Sequence, residues 1–299
     1  MYDIIVVGAG PAGISAGIYG VSRGKKVLIL EKGEVGGLIG KVSTVTHYAG
    51  IIPGETGVSF AARMREQAES AGVEIRQETV EQVQMQGDVK TVVTDQGQYT
   101  CKKLILANGT TGRKLGIPGE MELAGKGMGM NAAKHGANYA GKHVYVVGGA
   151  DGAVKEALYL ASLAEKVTII HFEPQLGCIA EFRDKVKKTR NIQLMLNTRL
   201  HAVRGENQVE QLDLRSEVDG SITTVDDPGC GIFVYAGTVP NTKLYTELEL
   251  QDGYIPVNDW METSIPGVYA VGDIRVKQVR QVATAVADGA TAAVHACIG

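Results

Sequence analysis

The sequence predicts an α/β protein made of two Rossmann-like nucleotide-binding domains, the second inserted into the first. Three observations carry this. An apolar run, Ile4-Ile-Val-Val7, leads into Gly8, Gly10 and Gly13 and then a small-residue helix; the same order restarts at Val144; and a late segment, Pro256 to Asp273, returns the chain to the first domain. The expected boundaries are 1–113 with 243–299 for the first domain and 114–242 for the inserted one.

Each element of the first unit has a mechanical reason. Gly8 permits a tight turn, Gly10 lets the backbone approach a pyrophosphate, and Gly13 allows the helix to pack on the sheet. The second strand, Val27 to Leu30, ends on Glu31, an acid at the spacing that accepts a hydrogen bond from a ribose hydroxyl. Behind the glycines, a helix N-terminus offers unpaired N–H groups and partial positive charge. A dinucleotide is the ligand these residues imply. Downstream, residues 73–100 read as short alternating strands, and Leu104-Ile-Leu-Ala-Asn-Gly109 as a buried strand and turn forming the returning edge of the sheet. In the inserted domain, Val144-Tyr-Val-Val147 and a strand at Val167 to His171 flank Gly148-Gly-Ala-Asp-Gly-Ala153.

Composition narrows the class. With 299 residues and 44% hydrophobic content, the chain can bury one large core or two ordinary ones. A net charge of −3 gives no general attraction to nucleic acid or an anionic membrane. No apolar run reaches the length of a membrane span, and a first strand at Tyr2 leaves no room for a signal peptide, so a soluble cytoplasmic protein is expected. The four cysteines, Cys101, Cys178, Cys230 and Cys297, form no CxxC, and the six histidines show no ligand spacing; no metal site is expected.

The stretch Gly267-Val-Tyr-Ala-Val-Gly-Asp-Ile274, followed by Arg280-Gln-Val282 and a small-residue helix through Ala293, resembles the flavin-binding C-terminus of low-molecular-weight thioredoxin reductases. The N-terminal fingerprint, Gly36-Gly37, Lys114-Leu-Gly-Ile-Pro-Gly119 and the inserted unit follow in that family's order, so the resemblance covers essentially the whole chain. It implies FAD in the first domain, NADPH in the inserted one, and a homodimer. It also implies flavin contacts from Gly8, Gly10, Gly13, Glu31, Gly36, Gly37, Gly109, Gly272, Asp273, Arg280, Gln281 and Val282. Among these, Asp273 would meet the ribityl or pyrophosphate region, and the 280–282 backbone the isoalloxazine.

Three departures from that family alter the expected chemistry. Where it has Cys-x-x-Cys-Asp, this chain reads Gly129-Met-Asn-Ala-Ala-Lys-His-Gly136, with Asn131 and Lys134 for the cysteines and His135 for the acid. No thiolate can form there, which excludes the family's route of disulfide reduction. The middle glycine of the second fingerprint is Ala150, whose methyl group would push phosphates outward. Third, His171-Phe-Glu-Pro174 replaces a His-Arg-Arg type sequence; Glu173 would repel a 2′-phosphate and could accept from a free ribose hydroxyl. Weak or absent nucleotide binding, and weak NADH binding, both remain open, as does a drifted scaffold against a repurposed site.

Other candidates carry two readings each. His47 would tune a flavin or shuttle a proton, or be a structural loop histidine. Lys134 and His135 would place a cation near a flavin, or form an exposed polar loop. The basic run Arg183, Lys185, Lys187, Lys188 and Arg190 would attract an acidic carrier such as ferredoxin or flavodoxin, or be a solvated helix face. The expected function is electron transfer through FAD from a non-NADPH donor, a protein carrier or a second flavin, to an unidentified acceptor. The alternatives are an NADH-linked flavin or ferredoxin reductase-like enzyme, a non-catalytic redox-sensing module, and a disulfide reductase with relocated cysteines such as Cys178 and Cys230.

Overall fold

Unbroken apolar strands mark a parallel sheet covered on both faces. The computed structural model, which describes residues 1–298, has such strands in each of two units, Met1–Thr111 with Val239–Gly299, and Gly112–Thr238; the second unit's sheet is parallel throughout, whereas the first unit's adds an antiparallel pair at one edge. The chain first forms β1 (Tyr2–Val7), α1 (Pro11–Val21), β2 (Val27–Glu31), α2 (Gly57–Ser70), β3 (Glu74–Gln77), β4 (Val80–Gln84), β5 (Lys90–Thr94), β6 (Gln98–Leu106) and β7 (Thr110–Gly112). The second unit continues with α3 (Ala132–His135), β8 (His143–Val147), α4 (Asp151–Leu160), β9 (Lys166–Ile170), α5 (Ala180–Lys188), β10 (Ile192–Met195), β11 (Thr198–Arg204), β12 (Gln211–Ser216), β13 (Ile222–Asp226), β14 (Gly231–Val234) and β15 (Thr238–Pro240). Then β16 (Val268–Ala270) and α6 (Val282–Ala296) rejoin the first unit. Each passage between units falls inside a three-residue strand, β7 or β15, a few residues before the expected boundaries.

In the first unit the strand order is β3-β2-β1-β6-β5-β4, with β16 also on β6. The expectation that Leu104–Leu106 forms a sheet edge is therefore corrected. One side of β6 pairs with β1; its other side is shared, Gln98 to Cys101 facing β5 and Leu104 to Leu106 facing β16. That double pairing explains why Leu104, Ile105 and Leu106 are completely buried. The strands alternate between two cores. Ile4, Val6, Ile29 and Ile105 face α1, α2 and α6, while Ile5, Val7, Leu28 and Leu106 pack on Met85, Val92 and Tyr245. Small residues let α1 and α6 touch through their backbones: a Cβ on Gly289 would lie 2.1 Å from the Ala12 carbonyl oxygen.

The second unit has three layers. Its parallel sheet, β10-β9-β8-β14, turns Val144, Val146, Ile169 and Phe233 towards α4 and α5. On the other face, Tyr145, Val147, Ile170 and Ile232 pack on the antiparallel sheet β11-β12-β13 through Leu200, Leu212 and Leu214.

One polar knot ties these layers. His143 Nδ1 lies 2.6 Å from Asp227 Oδ2, which also accepts from the Tyr145 hydroxyl at 2.8 Å, and His143 Nε2 lies 2.8 Å from Thr168 Oγ1. The arrangement imitates a hydroxyl–histidine–carboxylate triad, but Thr168 is 1% exposed and its hydroxyl reaches no substrate. Burial pushes the His143 imidazole below its ordinary pKa, outweighing the pull of Asp227. The unfolded chain then binds a proton that the folded chain refuses, so this residue's contribution is present above about pH 6.5 and lost as pH falls towards the depressed folded value. Denaturant melts at pH 7 and pH 5.5 should show this loss in the parent protein and a smaller one in His143→Gln. An identical slope in both would assign the pH sensitivity elsewhere.

Candidate cofactor site

At the C-terminal ends of β1, β2 and β6, where ligands bind in open α/β sheets, the first unit holds a cavity of about 450 Å³. One wall is the turn from β1 into α1. A Cβ on Gly13 would lie 1.9 Å from the Gly8 carbonyl oxygen, so this turn closes only with glycine there. Gly10 differs: the nearest atom to its would-be Cβ is Gly37 Cα at 4.0 Å, and the open side is the cavity. Pro11 opens α1 without sacrificing a needed N–H. Glu31 sits on the rim with one carboxylate oxygen accepting the Ala9 N–H at 2.8 Å and the other the Gly33 N–H at 2.9 Å.

The opposite wall is Gly272, Asp273, Arg280, Gln281 and the first turns of α6 at Val282 and Ala285. Gly272 has φ +75°, a conformation that favours glycine. The back is laced by side chains: the Tyr245 hydroxyl donates to Asn108 Oδ1 at 2.5 Å, and Asn241 Nδ2 donates to the Asn108 carbonyl at 2.7 Å. Three polar groups in the lining lack a protein partner. Thr110 Oγ1 and Arg280 Nε are buried without a hydrogen bond, and Asp273 makes no hydrogen bond or ion pair among the described residues. Burial pushes the Asp273 carboxyl up, with Lys277 and Arg280 pulling the other way. Unsatisfied buried polar groups call for a ligand or water. A glycine cradle, a rim carboxylate and these three groups fit an elongated ligand carrying phosphates and hydroxyls.

The lining brings together Gly10, Glu31, Gly37, Gly109, Gly272, Asp273, Arg280, Gln281 and Val282. Gly8, Gly13 and Gly36 are not in the lining and shape the wall behind it. His47 is exposed, 3.0 Å from Thr46 Oγ1, and not in the lining. Lys134 and His135 belong to the second unit and are the last two residues of the single-turn helix α3. Asn131 Oδ1 accepts the Lys134 N–H at 2.8 Å, and His135 Nδ1 accepts the Asn131 N–H at 3.0 Å, so Asn131 and His135 cap a helix. Thr110, Asn108 and Asn241 escaped the sequence reading, because nothing in their spacing shows which side chains converge.

All four thiols are free, and each belongs to a different core cluster. Burial pushes Cys101 and Cys230 up to about 12 and raises Cys178 and Cys297 as well. None is a thiolate at neutral pH.

In the second unit the turn after β8 delivers Ala150 as the N-cap of α4. Asp151, in the first turn of α4, accepts the Ile179 N–H at 2.8 Å, which puts a carboxylate at the helix end that favours anions. His171 lies against Gly149 and its Nε2 is 3.1 Å from Glu173 Oε2. On α5, Lys185 pairs with Glu181 and Lys187 with Asp184, while Arg183 donates to the Cys178 carbonyl; the basic run is partly neutralised in place. Among the described residues, no cluster of three or more His, Cys, Asp and Glu could hold a metal, and no helix is long and apolar enough to cross a membrane.

Residues 2–289 match the family model of pyridine nucleotide-disulphide oxidoreductases. The chain is 39% identical over 302 residues to the thioredoxin reductase of Peptoclostridium litorale, covering 99% of this chain and 96% of that one. Among solved structures, the thioredoxin reductase of Lactococcus lactis superposes with a TM-score of 0.94 at 33% identity, covering 99% and 98%. A ferredoxin-flavin thioredoxin reductase from Clostridium acetobutylicum matches with a TM-score of 0.54 at 28% identity, covering 99% and 97%. With the flavin-type cavity and the paired parallel sheets, these likenesses show that the chain belongs to the pyridine nucleotide-disulphide oxidoreductase family as a thioredoxin reductase-like, FAD-dependent oxidoreductase.

Proposed function

We infer that the protein passes electrons through FAD held in the first-unit cavity, from a donor other than NADPH to an acceptor other than an internal dithiol. The donor is a reduced ferredoxin or flavodoxin, or a second flavin, and the working form is a cytoplasmic homodimer. FAD supplies the electron-transfer chemistry when bound. The chain's residues do the rest. Gly10 and the start of α1 admit the pyrophosphate, Glu31 accepts from a ribose hydroxyl, and Asp273 takes a hydroxyl of the ribityl chain. The α6 N-terminus and Arg280 bring N–H donors and positive charge to the flavin end.

The observation that carries the choice of donor is Asp151, tied to Ile179 at the α4 N-terminus. A dinucleotide pyrophosphate would meet a carboxylate where it needs N–H groups, and Glu173 stands where a 2′-phosphate needs a cation. The Clostridium acetobutylicum relative, a ferredoxin-flavin thioredoxin reductase, supports a ferredoxin donor.

The test is anaerobic absorbance at the flavin bands, with flavins counted per chain, during separate additions of NADPH, NADH and reduced ferredoxin. Bleaching is expected from ferredoxin and not from NADPH. Rapid bleaching by NADH would instead favour a second reading, in which Glu173, half-exposed beyond the end of β9, accepts from the free ribose of NADH.

A further inference from the structure

We propose that Asp288 is a positioning residue for flavin binding: by capturing Arg275 and Lys277 it leaves the Asp273 carboxyl free to meet a hydroxyl of the cofactor. This rests on the reading that FAD occupies the first-unit cavity.

Asp288 lies one turn beyond Ala285 on α6, behind the cavity wall, and is 5% exposed. Its carboxylate accepts four hydrogen bonds: the Gly272 N–H at 3.0 Å, Arg275 Nε at 2.8 Å and Nη2 at 2.7 Å, and Lys277 Nζ at 2.8 Å. Burial alone would raise this carboxyl; the bonds from Arg275 and Lys277 outweigh it and hold the group below the usual carboxylate range. Two consequences follow from the geometry. The bond to Gly272 fixes the left-handed turn that presents the next residue, Asp273, to the cavity. The bonds to the cations settle a competition. The Lys277 side chain is 5% exposed, and an ammonium that deep requires an anion.

Asp273 is the carboxyl in line to serve as that anion, since it follows Gly272, whose N–H is held by the same Asp288 carboxylate that holds Lys277, and it has no ion pair of its own among the described residues. Were Lys277 to swing to it, a ligand hydroxyl would have to displace a charge-assisted bond, which is about twice as strong as a neutral one. Asp288 keeps that swing from happening, and Asp273 stands with no ion pair.

The experiment titrates FAD into flavin-stripped full-length protein and reads Kd from flavin fluorescence, for the parent and for Asp288→Asn, Lys277→Gln, the double variant, Asp273→Asn and Gly10→Val. Asparagine at 288 keeps the size and an acceptor oxygen but loses the charge. Its Kd should weaken roughly tenfold or more, and the double variant should recover to within about threefold of the parent. Lys277→Gln alone, which does not depend on how Asp288→Asn folds, should stay within roughly twofold. A double variant as weak as Asp288→Asn would mean a merely structural role, and so would overturn the proposal. A normal Kd in Asp288→Asn would overturn it too, as would a clear change in Lys277→Gln alone. Asp273→Asn and Gly10→Val separate the levels: parental affinity in Asp273→Asn removes the carboxylate contact and the proposal with it, parental affinity in Gly10→Val removes the cavity reading itself, and weakened binding in both beside a normal Asp288→Asn removes only the role of Asp288.

Discussion

Gly289→Val is expected to give a chain that does not accumulate as a folded flavoprotein. The would-be Cβ lies 2.1 Å from the Ala12 carbonyl oxygen and 3.0 Å from the Ala16 nitrogen, both backbone atoms of α1. A rotamer change cannot relieve a clash at Cβ, so α1 and α6 must separate. Separation opens the layer containing Ala16, Ala292 and Ala293, none of which is exposed at all, and moves Ala12, which lines the cavity. Overpacking of well-packed cores costs about 1–3 kcal/mol, and backbone clashes fall at or above the top of that range. Against a total stability of about 5–15 kcal/mol, that is enough to cut soluble yield and cofactor content together. The check is expression level with thermal unfolding; a melting temperature close to the parent's would refute the close packing of the two helices.

Gly10→Val should have the opposite profile, a stable but colourless protein. The backbone at Gly10 is extended, φ −74° and ψ −178°, which any residue adopts, and it already serves as the N-cap without a side-chain bond. The new Cβ meets no protein atom closer than Gly37 Cα at 4.0 Å, and the side chain projects into the space reserved for phosphate. The expected result is a melting temperature for the flavin-free protein within a few degrees of the flavin-stripped parent, with FAD affinity lowered roughly a hundredfold, about 3 kcal/mol. Flavin content after purification and calorimetry on the two apoproteins measure both. Retained yellow colour would mean that the phosphates lie elsewhere.

These two glycines also mark what the sequence made legible. The β1–α1–β2 unit could be read because its information is local: apolar run, glycine spacing and terminal acid all lie within Ile4 to Glu31. The second strand–turn–helix at Val144 was visible for the same reason. The β11-β12-β13 sheet was not: its strands are consecutive and joined by short connections, 205–210 and 217–221, but their mixed polar residues give no clean apolar alternation. β6 was read as an edge because an apolar run cannot reveal that two strands, β5 and β16, share its far side. The site divides along the same line. The cavity residues already fixed by motif spacing converge as a set, whereas Thr110, Asn241 and Asp288 act through partners more than ten residues away or through burial. That Asn131 and Lys134 stand where the family has its two cysteines was plain in the sequence, but the reciprocal capping bonds around Asn131 and His135 were not, since capping depends on where a short helix begins.

The distribution of the four cysteines, one to each core face and none ionised, also sets how much charge the protein can store. A dithiol beside a flavin acts as a reservoir: it lets a chain hold reducing equivalents after its donor has left and deliver them later. On the proposed reading no internal dithiol takes over electrons from the flavin, so the holding capacity is that of the cofactor alone, and supply and demand must be matched turn by turn.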